Sequence, residues 1–167
     1  MITFYTNKEE YKAICKVKFW KVFLVRLLRL FFVAAIIGFV EEVLIRKQSF
    51  KDGLIVFGFI FALGIVAQLI IVPVNEIASP MGKFRKLKQE RVAHELDPTQ
   101  RLFYFKDGVL NESIIINEIK SAETKGDFFV VDGTGIDQSG KSKKKTIVIP
   151  INETTKDAIQ EIAKKQA

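Results

Sequence analysis

The longest apolar run of the chain lies in its first half. From Gly53 to Asn75 the sequence reads GLIVFGFIFALGIVAQLIIVPVN, without a charged side chain. At a rise of 1.5 Å per residue, a helix of this length crosses a hydrocarbon layer of about 30 Å. A chain of 167 residues is too short to enclose such a helix in a soluble core. The run therefore predicts a membrane span, with Pro73 marking a kink or the exit.

A second apolar segment precedes this run. Leu30–Val40 is uncharged but too short to span. Residues 27–45 are long enough if the Arg29 side chain snorkels toward the headgroups. The pattern predicts a transmembrane helical hairpin over residues 27–75, with its second span at 54–74.

Two acidic side chains lie near the C-terminal end of the first predicted span. Glu41 and Glu42 lie near its end, and Arg46 follows one helical turn after Glu42. We expect an ion-paired end at the membrane interface. The alternative is a proton or cation site, because ionisable groups within a span are often functional. Such a site would need Gln68 of the second span as its partner.

Small residues recur at a spacing of four in both spans. The pairs are Ala34 with Gly38 and Gly58 with Ala62. Small side chains let two membrane helices approach closely. These pairs are therefore predicted to face each other across the hairpin.

The N-terminal residues 1–29 predict a strand followed by a basic helix. Met1–Thr6 alternates β-branched and aromatic residues and predicts an edge strand. Thr6 and Glu9 fit a capping box that starts a helix. Lysines recur along one broad side, so this helix either lies on anionic headgroups or simply leads into the first span. The candidate lipid or partner contacts here are Lys12, Lys16, Lys18 and Lys21.

The chain after the second span changes to an ordinary polar composition. Residues 76–97 predict a basic exit helix that Asp97-Pro98 terminates. Residues 98–167 predict a small cytoplasmic antiparallel β-sheet capped by a C-terminal helix. Asp107-Gly108 between two apolar runs indicates a hairpin turn. The predicted elements are strands at Gln100–Phe105, Val109–Asn117, Phe128–Asp132 and Thr146–Ile151, and a helix at 153–165.

The charge distribution predicts orientation. The net charge is +7, and most of the excess Lys and Arg flanks the apolar runs. These flanks are far more basic than the loop between the spans, which places both termini in the cytoplasm. A lone Cys15 excludes an internal disulfide, and a lone His94 argues against zinc chemistry. No nucleic-acid site is predicted, because no aromatic residues interleave the lysine run.

One motif resembles a phosphate-binding loop. Gly135-Ile-Asp-Gln-Ser-Gly-Lys-Ser142 matches G-x-x-x-x-G-K-[ST]. A strand-like segment follows it, whereas phosphate binding requires a helix there, so we predict a hairpin loop. No catalytic set, metal spacing or cofactor site is predicted. The loop lysines are candidate contacts for anionic lipid or an acidic protein: Lys141, Lys143, Lys144 and Lys145.

The layout resembles the YcxB-like family of bacterial membrane proteins. The resemblance is carried by the N-terminal ITFYTNKEEYKAI, the helical hairpin, and the tail segments FYFKDGVL, IIINEIKSAE, FFVV and IVIP. This chain has Asn117 before Glu118-Ile119 where members often carry Trp. It also departs from the family after Pro150. The resemblance implies a membrane hairpin bearing a small domain similar to bacterial pleckstrin-homology modules, with no catalytic residues to carry over.

These features predict a non-enzymatic inner-membrane protein whose cytoplasmic domain binds a protein partner. One specific form is an immunity protein that neutralises a membrane-targeting toxin. The alternatives are an adaptor that senses anionic lipid and, less favoured, a channel or transporter subunit. The last requires a homo-oligomer, because two helices per chain cannot enclose a pore.

Overall fold

The protein consists of a pair of long helices and a small sheet domain. A computed structural model describes residues 1–47, 49–99 and 101–165. The chain divides into two compact units, Phe19–Ala78 and a second unit that combines Met1–Lys18 with the chain from Ser79 onward. The second unit holds a six-stranded antiparallel sheet and a C-terminal helix. The helical pair and the sheet domain predicted from the sequence are thus both present.

Four helices and six strands make up the described chain. The helices are α1 (Lys8–Ala35), α2 (Phe50–Pro73), α3 (Ser79–Lys86) and α4 (Lys156–Lys164). The strands are β1 (Ile2–Asn7), β2 (Arg91–Asp97), β3 (Phe103–Asp107), β4 (Glu112–Lys125), β5 (Phe128–Asp137) and β6 (Ser142–Pro150). They pair in sequence order as an antiparallel meander, β1-β2-β3-β4-β5-β6.

Both long helices extend beyond the predicted spans. α1 continues into a π-helical segment, Ile36–Ile45, so residues 8–45 form one helix without interruption. α2 likewise continues through the π-helical Val74–Ala78 into α3. Pro73 therefore does not end the helix as an exit. Its missing N–H removes one α-helical hydrogen bond, and the π-helical turn begins at the next residue.

One of the two predicted small-residue pairs lies at the contact between the first long helix and α2: Ala34 and Gly38 are buried, whereas Gly58 and Ala62 are exposed. A Cβ on Gly38 would lie 2.7 Å from the Gly53 carbonyl oxygen and 2.7 Å from the Phe57 Cβ, so the two backbones touch there. Gly58 is exposed, and a Cβ on it would meet nothing within 4 Å. The pairing of Gly58-xxx-Ala62 with the first helix was wrong. Gly58 lies 100° further around the helix than Phe57, which faces the partner.

The first helix is capped one residue later than predicted. The Asn7 side chain accepts hydrogen bonds from the Glu9 and Glu10 amides, each at 2.9 Å. The Glu10 carboxylate in turn accepts from the Asn7 amide at 2.8 Å, which completes a capping box. Thr6 is buried in β1 instead, because alternation turns its side chain into the sheet domain.

The predicted exit helix is shorter than expected. α3 ends at Lys86, and Arg91–Asp97 forms strand β2 between β1 and β3. The burial of Val92, His94 and Leu96 alternates with more exposed neighbours, which is the period of a strand. The helical expectation failed because the basic residues before Arg91 gave no strand signal, whereas β1 and β3 supply hydrogen bonds on both edges.

The core of the sheet domain lies under α4. Ala158 and Ile162 of α4 pack on one face of the sheet. β4 is longer than predicted and continues to Lys125 through two register irregularities. Asp107 ends β3 rather than sitting in the turn, which spans residues 108–111. The sheet residues of this core include Phe4, Leu96, Phe103, Phe105, Ile114, Ile116, Phe129, Val131, Ile147 and Ile149.

Candidate functional site

A buried polar network lies on the same face of the sheet as the apolar core. His94 of β2 and Asp107 of β3 are 2% and 1% exposed. Glu95 of β2 pairs with Lys106 of β3. His94 and Asp107, one residue further along each strand, therefore lie opposite each other. Buried ionisable groups cost free energy unless they are paired and hydrogen-bonded. The partners of these two side chains therefore decide what the network can do.

Asp107 receives partners from α1 and from its own turn. The Tyr11 hydroxyl donates to Oδ2 at 3.2 Å, and the Lys18 Nζ lies 3.8 Å from the same oxygen. Oδ1 accepts from the amides of Val109 at 3.0 Å and Leu110 at 3.2 Å. One carboxylate thus holds the start of α1 against the β3–β4 turn.

The hydrogen bonds of His94 define its tautomer. The Gly108 amide donates to Nδ1 at 3.3 Å, so Nδ1 carries no proton. Nε2 then bears the hydrogen and donates to the Thr6 Oγ1 at 2.8 Å. Burial lowers the pKa of His94; the Asp107 carboxylate opposes this shift and Lys18 adds to it. The ring is therefore neutral, and its 3.7 Å separation from Asp107 is not an ion pair.

Tyr11 is held in its protonated form. Burial raises the pKa of the Tyr11 phenol far above its ordinary range, and the negative charge of Asp107 adds to the shift. Its ring stacks on His94 at 5.9 Å and on Phe84 of α3 at 5.6 Å between centroids. Tyr11 therefore joins α1, α3 and the sheet while donating a hydrogen bond to Asp107.

Because the pKa of His94 differs between the folded and unfolded chain, the free energy of unfolding depends on pH. Its folded-state pKa lies below the unfolded value of about 6.5, so the unfolded chain binds the proton more tightly. The stabilisation is complete above about pH 6.5 and is lost as the pH falls toward the folded-state pKa. Charging Nδ1 would also remove the acceptor of the Gly108 amide. We expect the unfolding temperature of the full chain in mild detergent to drop as the pH falls from about 6.5 to 5.5.

A His94→Asn variant provides the control for this dependence. It should be less stable at every pH but nearly insensitive to pH across that interval, because Asn does not titrate. A wild-type profile that is flat, or a variant profile with the same slope, would contradict the assignment.

The sequence pattern did not identify this network. The sequence predicted only that His94 is a lone histidine and that Asp107 lies in a turn. The available signal was the alternation Val92, His94, Leu96, in which a histidine occupies a core position. Thr6, Tyr11, His94 and Asp107 are each no more than 2% exposed, and their contacts fasten the first turns of α1 to the sheet.

An open cleft lies next to this network on the sheet. Glu112 pairs with Asp107 in the β3–β4 ladder and points to the same face as Ile114. The Lys145 Nζ lies 2.8 Å from Glu112, and the Lys143 Nζ lies 2.8 Å from Asp137. The cleft has a volume of about 280 Å³ and is lined by Glu112, Ser113, Ile114, Asp137, Gln138, Ser139, Lys143 and Lys145.

Asp137 is the most strongly stabilised anion of the cleft. The ammonium of Lys143 and then the Ser139 hydroxyl hold the pKa of Asp137 well below its usual range. The Ser139 Oγ donates to Oδ1 at 2.6 Å, and the Lys141 amide donates at 3.1 Å. The hydrogen bond to Asp137 likewise raises the pKa of Lys143. Both groups remain charged at neutral pH.

The hairpin geometry differs from that of a phosphate-binding loop. Gly135 lies in β5 and Ser142 begins β6, and Gly135 pairs directly with Lys143. A strand therefore follows the glycine-rich turn, as predicted, where a phosphate-binding loop would have the N-terminus of a helix. Gly140, Lys141 and Ser142 are part of the antiparallel hairpin between β5 and β6.

The eight candidate lysines differ in exposure and in whether an acidic side chain pairs with them. Lys12, Lys18, Lys143 and Lys145 lie within 4 Å of acidic partners. Lys21 is half-buried and is also engaged in an interaction. Among the residues described, the exposed candidates without an ion pair are Lys16, Lys141 and Lys144.

The acidic end of the first long helix is ion-paired as predicted. Arg46 Nη2 lies 3.1 Å from Glu41, and Nη1 lies 3.1 Å from Glu42. The amide oxygen of Gln68 is buried without a hydrogen-bond partner among the described residues. No contact between Gln68 and the two acids is present in that part of the chain, so they form no common site.

The comparisons with known proteins add no assignment. No family model, no curated protein and no solved structure matches this chain.

Proposed function

We propose that the chain is a non-enzymatic integral protein of the bacterial inner membrane whose sheet domain binds a protein partner. The observation that carries this proposal is the exposure of the two long helices. In the most apolar 18-residue stretch of each helix, only 11% and 6%, respectively, is buried within the chain. A core helix of a soluble protein buries its apolar side chains, whereas these face outward and require a lipid environment.

The distribution of cations supports an orientation with both termini in the cytoplasm. Lys and Arg are dense before the first span and after the second, and the connecting loop carries few. The sheet domain would then lie in the cytoplasm. Its six antiparallel strands and the α4 helix packed on one face support the proposed similarity to bacterial pleckstrin-homology modules.

The cleft beside Ile114 supports partner binding. Its lining includes the buried side chain of Ile114, and its rim carries two acids and two lysines that a protein surface could engage. The outer member of each ion pair, Lys143 and Glu112, has a side chain that is more than half exposed. They are thus available for exchange with charges of a partner, and an immunity protein against a membrane-targeting toxin is one specific form of this role.

The proposal predicts recovery of a partner that depends on the cleft. Tagged full-length chain extracted from its native membrane in mild detergent should carry one near-stoichiometric protein, identified by mass spectrometry. Lys143→Ala/Lys145→Ala should reduce recovery of the partner by about tenfold, because two positive charges at the rim of the cleft are lost. A secreted toxin as the partner would favour the immunity role.

Lys120→Ala/Lys125→Ala on β4 is the matched control, since it removes the same charge outside the cleft. It should leave recovery unchanged. If the wild type enriches no protein, partner binding is wrong. If the cleft variant retains the protein fully, the partner binds elsewhere on the domain.

A further inference from the structure

The pair formed by α3 and the first turns of α1 has one apolar side and one basic side. Tyr11 stacks on Phe84, and Ile14 and Met81 are buried within the same unit. These contacts direct the apolar sides of the two helices toward each other and toward the sheet. The remaining sides of both helices are exposed to solvent.

Unpaired cations dominate that exposed side. In the part of the chain that the structure describes, six of them have no acidic partner, unlike Lys12 and Lys18, which have one each. The nearby Glu10 is already engaged in the helix cap. These six cations, the last of which lies in the turn just after α3, define the basic surface: Lys8, Lys16, Lys83, Arg85, Lys86 and Lys88.

The basic surface lies directly beside the apolar segments along the chain. Lys16 precedes Phe19, where the helical unit begins, by three residues, and Lys83 follows its end at Ala78 by five. Trp20 is 59% exposed and contacts two phenylalanine rings, which is typical of a side chain at a membrane interface. At 1.5 Å per helical residue, Lys16 lies about 6 Å along the helix axis from Trp20, which is within one Debye length of about 10 Å.

We propose that the basic surface binds the anionic headgroups of phospholipids in the adjoining leaflet. This inference rests on the proposed membrane insertion. Clusters of four to eight cations next to a membrane helix attract anionic lipid. Ammonium groups supply point charges to the phosphates, and Arg85 adds a planar donor pair. The loop at Lys141–Lys145 is less suited, because two of its lysines already pair with acids of the domain.

The test measures which lipids surround the inserted full-length protein. The chain is reconstituted into phosphatidylcholine vesicles with a minority of phosphatidylglycerol, and spin-labelled forms of both lipids report motional restriction at the protein. We expect an association constant about threefold higher for phosphatidylglycerol at low salt. The preference should decline toward unity at high salt, because the Debye length falls to about 3 Å at 1 M.

A matched pair of charge variants locates the contact. The first neutralises four cations of the basic surface, as Lys16→Gln/Lys83→Gln/Lys86→Gln/Lys88→Gln. The control neutralises four exposed lysines without ion pairs elsewhere in the described chain, as Lys120→Gln/Lys141→Gln/Lys144→Gln/Lys156→Gln. Both variants have the same net charge.

The outcomes separate this inference from the proposed function. Loss of the preference in the first variant, with retention in the control, supports the basic surface. Retention in the first variant, or equal loss in both, overturns it while leaving membrane insertion intact. A wild-type protein that sodium carbonate extracts from the vesicles would contradict membrane insertion itself, and the inference would fall with it.

Discussion

Replacing Asp107 by alanine is expected to lower the free energy of unfolding of the sheet domain by about 3–5 kcal/mol. The substitution leaves Lys18 and the Tyr11 hydroxyl facing a buried site without their shared acceptor. It also removes the acceptor of the Val109 and Leu110 amides in the following turn. Unsatisfied buried donors and an unpaired buried charge are among the costliest defects of a folded protein.

Hydrogen exchange of the full chain in mild detergent measures this effect for the domain alone. Peptides from β3 and β4 should exchange at least about 100-fold faster in Asp107→Ala, since 1.4 kcal/mol corresponds to a factor of ten. Asp107→Asn should cost less, because its amide oxygen still accepts from the turn amides.

The matched control is Asp127→Ala. Asp127 is exposed, and its backbone carbonyl accepts from the Ile151 amide independently of its side chain. Exchange in this variant should stay within a few-fold of the wild type, as is usual for surface substitutions. Equal rates in Asp107→Ala and Asp127→Ala would show that the buried network contributes nothing to the domain.

Replacing Gly38 by valine is expected to separate the two long helices. The added Cβ would clash with backbone, the Gly53 carbonyl oxygen at 2.7 Å and the Phe57 amide nitrogen at 2.9 Å. Neither atom can rotate away as the end of a flexible side chain could. Overpacking of this kind costs about 1–3 kcal/mol, which corresponds to a fall of about 5–15 °C in unfolding temperature for a unit of this size.

Gly58→Val is the control on the same helix pair. Its Cβ would meet nothing within 4 Å, and the residue is exposed. The midpoint temperature for loss of monodisperse elution in mild detergent should fall for Gly38→Val and stay close to the wild type for Gly58→Val. The reverse order would place the helix contact at Gly58-xxx-Ala62 after all.

Periodicity in the sequence determined the architecture of the protein. The charge-free run of 53–75 could only be a long helix, and the alternation in FYFKDGVL and IVIP required strands. The Arg46 pairing with Glu42 also followed from spacing, because residues four apart meet on a helix. These features depend on neighbours in the chain, so local patterns were sufficient.

Contacts between distant segments could not be read from those patterns. His94 meets Thr6 across 88 residues, and Asp107 meets Tyr11 across 96. β2 was mistaken for helix because its identity depends on the strands at both of its edges. Which glycines touch in the hairpin depended likewise on the rotation of one helix against the other.

The sequence alone thus determined a pair of long apolar helices and a small sheet domain with a terminal helix. The tertiary structure decided which charged groups are free to act. Burial pairs Lys18 with Asp107, and register pairs Lys143 with Asp137, while Lys16 and Lys83 remain exposed. The physical reason is that burial and ion pairing depend on distances through space, whereas periodicity reports only the local geometry of the backbone.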